Sequence, residues 1–113
     1  MTPQGFEGSE MQKNWPHAPW HTIPEHCAEG LFLYIERGVP VGRFLRSLLS
    51  NDLKGTFSAA DDINQRSVYE YVYFLYNAAP SQCWDSPEKY REWVGRGGLR
   101  GIKQRGEQPV ESP

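Results

Sequence analysis

Between Gly38 and Asn64 the chain reads Gly-Val-Pro-Val-Gly-Arg-Phe-Leu-Arg-Ser-Leu-Leu-Ser-Asn-Asp-Leu-Lys-Gly-Thr-Phe-Ser-Ala-Ala-Asp-Asp-Ile-Asn. An apolar pattern of helical period is interrupted here by a polar joint rich in turn-forming residues. Val41, Phe44, Leu45, Leu48 and Leu49 make one apolar arc, with Arg43 and Arg46 opposite, and Pro40 suits the first turn of such a helix. The stretch therefore demands short helices packed by tight turns. It specifies an architecture and leaves the chemistry open.

The same grammar extends in both directions. Thr22-Ile-Pro-Glu25 has the form of a capping box, followed by Cys27, Ala28, Leu31, Tyr34 and Ile35 on one helical face, with Gly38 as left-handed terminator. A third helix is predicted from between Ser58 and Asp62 to Asn77, stopped by Ala-Ala-Pro80. Its centre, Val68 to Tyr76, is rich in residues that favour strands. Alternation fails across Tyr73-Phe74-Leu75-Tyr76, however, and no convincing partner strand exists, so helix is the better reading. Val68, Tyr71, Val72 and Leu75 form its predicted inner face, Tyr69 and Tyr76 flank that face, and Tyr73 and Phe74 fall on opposite outer shoulders. Ser86-Pro87-Glu88 opens a short fourth helix carrying Tyr90, Trp93 and Val94 and ending at Gly95.

The expected fold is thus all-α: a small bundle of about four helices over residues 22–95. A flexible segment of residues 1–21 should precede it, and a disordered Gly- and Arg-containing tail of residues 96–113 should follow. A core of about 70 residues buries only about 60% of the surface its unfolded chain exposes, so few apolar residues remain to line a deep pocket. No apolar run approaches the ~20 residues of a membrane span, and the N-terminus lacks the order of a signal peptide. A cytoplasmic protein with free thiols at Cys27 and Cys83 and no membrane contact is expected.

The motifs also resemble those of small uncharacterised proteins of phages, prophages and other mobile elements. The resemblance rests on Gly38-x-Pro40-x-Gly42-x-Phe44-Leu45, Asn51-Asp52-Leu53, Ala60-Asp61 with Asn64, and Tyr76-Asn77-x-x-Pro80, then Trp84 before Ser86-Pro87-Glu88. It covers about residues 23–94. What it implies is a setting, accessory function in a mobile element such as inhibiting or redirecting a host protein, and no particular reaction.

Catalytic chemistry finds little support in the residues. Asp52, Asp61, Asp62, His17, His21 and His26 are the acid and base candidates, and a site would need several of them to converge. No phosphate loop, nucleophile elbow or His-Glu-x-x-His pattern occurs. Asn51, Asp52, Asp61 and Asn64 are better read as structural polar groups at helix ends. The histidines with Cys27 and Cys83 lack zinc-ligand spacing, so neither metal nor cofactor is expected.

The chain carries four Trp, six Tyr and five Phe, more aromatic surface than so small a core readily encloses. A non-enzymatic protein-binding module is therefore expected, with Arg43, Arg46, Arg66, Glu70, Tyr73 and Phe74 as its partner surface and a host protein as the partner. A homodimer remains open, as does whether Trp15 and Trp20 fold back over the helices. The alternative is weak nucleic-acid binding by Arg96, Arg100, Lys103 and Arg105 of the tail, helped by exposed aromatics.

Overall fold

The computed structural model describes Trp15 and residues 17–104. Seven α-helices occur among the described residues: α1 (Glu25–Arg37), α2 (Arg43–Leu49), α3 (Leu53–Ala59), α4 (Asp62–Arg66), α5 (Val68–Ala78), α6 (Pro87–Arg96) and α7 (Gly98–Gln104). Single 3₁₀ turns at Trp20–Thr22 and Ser81–Cys83 complete them. The all-helical class stands, and the count of about four is corrected, because the predicted third helix divides, a helix forms within the expected polar joint and another forms where tail was expected.

The divisions follow from local capping. α2 ends at Leu49, and Asn51 takes a left-handed φ of 61° that turns the chain. Asp52 then caps α3, its carboxylate accepting the Gly55 amide at 3.0 Å. Asp61 caps α4 in the same way through the Asn64 amide at 2.8 Å, and the predicted third helix breaks at Ser67 before α5 begins. Each carboxylate satisfies an amide that would otherwise lack an acceptor in the first turn. Ser86 caps α6 through Lys89 with Pro87 at its first position, as its sequence predicts. The capping box at Thr22 does not form. Ile23 and Pro24 are extended, which moves the start of α1 to Glu25, and the Thr22 hydroxyl donates instead to the Pro19 carbonyl at 2.7 Å.

The core is organised around α1. Ala28, Leu31, Phe32, Tyr34 and Ile35 are all buried, and the helix ends at Gly38, whose φ of 70° allows its amide to reach the Tyr34 carbonyl at 2.8 Å. Tyr34 donates to the Cys83 carbonyl at 2.5 Å and stacks on Tyr90 of α6 with centroids 5.3 Å apart. Trp93 of α6 donates to the Tyr34 and Ile35 carbonyls at 2.9 and 3.2 Å.

Two boundaries of the predicted domain move outward. Trp20 is 1% exposed, with its ring 4.5 Å from Phe74 and 5.9 Å from Phe32, and Trp15 meets both Trp20 and the Glu36 carboxylate. The open question about these tryptophans resolves toward core packing. At the other end, α7 lies along α1 with Gly98, Leu99 and Ile102 buried. Its glycines serve close approach: a Cβ on Gly98 would stand 2.5 Å from the Gly38 nitrogen and 2.6 Å from that of Arg37. The expected disorder of residues 1–14, 16 and 105–113 lies outside the described residues.

Gly98→Ala should therefore cost at least about 2 kcal/mol in urea unfolding, since the crowding is backbone on backbone at a left-handed φ of 67°. Gly95→Ala, in α6 with open space around it, should instead raise stability by up to about 1 kcal/mol.

Candidate functional site: a tyrosine face on helix α5

On α5, at 100° per residue, Val72, Tyr76, Tyr69, Tyr73 and Asn77 occupy one continuous half of the helix, and each is exposed. Tyr69 is 71% exposed, Tyr76 53% and Tyr73 49%. None of the five is charged. Tyr69 and Tyr73 stack with centroids 6.0 Å apart, and the Asn77 amide donates to the Tyr73 carbonyl, so part of the face is already ordered. Glu70 sits half-buried at its edge, and Arg66 is exposed one turn earlier on α4.

The opposite half is fully committed to packing. Tyr71, Phe74 and Leu75 are buried. Phe74, expected at the surface, is corrected to a core residue, because Trp20 returns from the N-terminal side and fills the space beside it. Val72, expected inside, lies outside. The helix is rotated by about 60° from its predicted orientation, enough to exchange these two positions.

The other predicted partner residues do not gather here. Arg46 places its guanidinium 5.7 Å from the Tyr90 ring centroid, within cation–π range, and Arg43 is on the outer side of the same helix. Phe44 of that helix meets Tyr71, on the inner side of α5. Of the six residues expected to form the surface, Tyr73 lies on the tyrosine face, Glu70 is at its edge on α5, Arg66 is exposed on the preceding helix, Arg43 and Arg46 are on α2, and Phe74 is buried. Tyr69 and Tyr76, expected to flank an inner face, are exposed beside Tyr73. The absence of any charged residue at 69, 72, 73 and 76 was the available signal.

The polar residues mostly bind the fold to itself. Asn64 is buried and accepts the Tyr71 hydroxyl at 2.6 Å, while its amide reaches the Cys27 sulfur at 3.7 Å, joining α1, α4 and α5. His26 lies 3.4 Å from Asp61. Asn51 donates to Asp85 at 3.3 Å, tying the α2–α3 turn to the segment before α6. Among the described residues, no three groups able to ligate a metal converge. An open hollow of about 460 Å³ lies between Trp20–Glu25 and Ile63 with Ser67; its Thr22 hydroxyl is already engaged. Of the predicted nucleic-acid residues, Arg100 and Lys103 are exposed on the outer side of α7 and Arg96 is half-buried on α6. Arg105 lies outside the described residues.

Burial raises the pKa values of Tyr34, Tyr71 and Cys83 above their ordinary range, reinforced at Tyr34 by Cys83 and Tyr90 and at Tyr71 by Cys27 and Asp61. Their protonated forms are favoured by folding, so the unfolded chain loses these protons first as pH rises. The contribution is complete below the ordinary values, about 8.5 for a thiol and about 10 for a phenol, and is lost above them. The melting temperature should fall steadily above about pH 9, and a flat profile to about pH 11 would contradict the burial of these groups. Phe74→Ala should cost about 3 to 5 kcal/mol by denaturant unfolding, whereas Tyr73→Ala should change stability by less than about 1 kcal/mol.

Comparison of the chain with family models, with curated proteins and with solved structures returns no match.

Proposed function

We propose that this chain is a non-enzymatic protein-binding module whose binding surface is the tyrosine face of α5. The observation that carries the reading is an exposed helix half holding three tyrosines and Val72 without one charge, in a chain of which 23% is charged. Tyrosine is enriched at binding hot spots because a large, stiff ring brings apolar area at small entropic cost, and its hydroxyl tolerates water before a partner arrives. Glu70, at the edge of the face on α5, supplies a polar margin. In the setting implied by the sequence resemblance, the bound species is a host protein, which the module inhibits or redirects.

The competing reading, a weak nucleic-acid contact, draws on Arg100 and Lys103 side by side on the outer face of α7. The two readings separate by salt. A phosphate-driven contact weakens steeply with ionic strength and depends on these two cations. A contact through the tyrosine face is nearly indifferent to salt and survives Arg100→Ala with Lys103→Ala.

With affinity-captured host protein as ligand, Tyr73→Ala or Tyr69→Ala should each cost about 2 kcal/mol, a roughly 30-fold rise in Kd, with the melting temperature nearly unchanged. Titration calorimetry and thermal unfolding on the same samples check both halves of this expectation. Unchanged affinity in a chain carrying both Tyr69→Ala and Tyr73→Ala would remove α5 from the interface.

A further inference from the structure

The segment before α1 is held differently from the rest of the core, and we infer that Trp15 and residues 17–22 form a latch that opens as a unit while the helices stay folded, freeing the rotation of α5. The consequence for binding rests on the binding-module reading, whereas the opening itself does not.

Two tryptophans of equal burial show the difference. Trp20 and Trp93 are each 1% exposed. The Trp93 indole N–H donates to the Tyr34 and Ile35 carbonyls, but that of Trp20 is buried without an acceptor. A buried donor left unpaired is penalised in the closed state and is satisfied by water once released. The ring that fills the space beside Phe32 and Phe74 therefore carries a polar group that favours its departure.

The backbone of the segment bonds to itself. The amides of Ala18, Trp20 and Thr22 donate to the carbonyls of Trp15, Ala18 and Pro19, and the Thr22 hydroxyl donates to the Pro19 carbonyl as well. These bonds travel with the segment, so opening breaks none of them. What parts is side-chain contact, namely the Trp20 ring from Phe32 and Phe74 and the Trp15 N–H from the Glu36 carboxylate, which is itself buried and gains water in exchange. Parts of a protein held in this way open at lower free energy than its helical core. Ile23 and Pro24 supply the hinge, extended at ψ of 132° and 134°. Beyond them α1 starts afresh, with the Cys27 and Ala28 amides returning to the Pro24 carbonyl, so the helix begins without any group from the latch.

Helix α5 is the element that responds. Two contacts fix its rotation: Trp20 against Phe74, with centroids 4.5 Å apart, and Asn64 accepting the Tyr71 hydroxyl. Opening removes the first and leaves the second, so the helix can turn about Tyr71 and carry Tyr69, Tyr73 and Tyr76 with it. Whatever draws the latch away thereby changes the proposed binding surface without touching it.

Hydrogen exchange of the indole N–H groups, followed by NMR on the full-length chain, tests the latch. Trp20 should exchange at least about 100-fold faster than Trp93, the first through opening and the second through global unfolding. Tyr90→Phe removes the hydroxyl that accepts the Val41 amide at 3.3 Å, far from the latch in sequence; it should speed Trp93 about two- to tenfold and leave Trp20 unchanged. Equal rates for the two tryptophans, or acceleration of both by Tyr90→Phe, would mean that the segment leaves only when the whole fold does and would overturn the inference. Trp20→Leu, or Trp20→Phe if the leucine variant does not fold, should shift the ring resonances of Tyr69, Tyr73 and Tyr76 with the helical circular dichroism retained. Unshifted rings in a folded variant would overturn the coupling to α5. Fast Trp20 exchange in a chain whose host-protein affinity ignores Tyr69 and Tyr73 would overturn the binding module alone, and equal exchange rates in a chain that binds through those residues would do the reverse.

Discussion

The C-terminal end of α1 is the joint on which the rest of the chain depends. A helix ending inside a protein leaves carbonyls without amide partners, and each one left buried and unpaired costs about 1 to 3 kcal/mol. Here Trp93 brings its indole N–H to the Tyr34 and Ile35 carbonyls, and Gly38 turns left-handed to close the last turn on itself. Gly98 then lies across the joint at a distance that excludes any side chain. One short region thereby anchors α6, α7 and the exit toward α2. The hydroxyl of Tyr34, bonded to the Cys83 carbonyl, extends the hold to the segment linking α5 to α6.

A second constraint decides what the molecule shows to solvent. Trp20 fills the space beside Phe74, while Asn64 holds the Tyr71 hydroxyl from the other side of that face. Together they fix the rotation of α5. With Phe74, Tyr71 and Leu75 turned inward, Tyr69, Tyr73 and Tyr76 have nowhere to go but outward. The proposed binding surface is therefore a consequence of core packing by a residue some fifty positions away in sequence. Loosening Trp20 would disturb the surface through the rotation of the helix, without touching a surface residue.

Residues whose role is local were legible in the sequence. Gly38 as terminator, Ser86-Pro87 as a helix start and Asp52 as a cap at a helix junction all act on amides or dihedrals within a few positions. The helical state of residues 68–78 could also be read despite their strand-favouring composition, because alternation failed there. What escaped depended on distant partners. The rotation of α5 required knowing that Trp20 returns. The helix at Gly98–Gln104 required knowing that Gly97 and Gly98 would meet α1; alone, a Gly- and Arg-rich run carries the composition of a tail. The break at Ser67 and the separate α3 were obscured by short apolar spacings that a longer helix would satisfy equally well. The candidate site was half legible for the same reason: Tyr73 was placed outside, whereas Tyr69 and Tyr76 were assigned to flanks of an inner face that turned away from them.

Under the proposed binding function, tyrosine on the outer half of α5 reconciles two opposed demands. A surface that must bury apolar area on contact risks indiscriminate association when free, and a leucine or phenylalanine stripe at the same positions would raise that risk most in a chain whose core is small. Charged residues would remove the risk but would also have to be desolvated at the interface, where an unpaired ion costs more than it returns. The phenol ring avoids both: its edge and hydroxyl remain hydrated in the free chain, its face supplies most of the contact area, and the stacked Tyr69–Tyr73 pair has already lost part of its rotamer freedom. Ordering two rings before contact lowers the entropy still to be lost on binding. Since Trp20 and Asn64 engage α5 from beneath, the proposed binding surface is formed before any partner arrives, with three tyrosine hydroxyls spaced along two turns of helix.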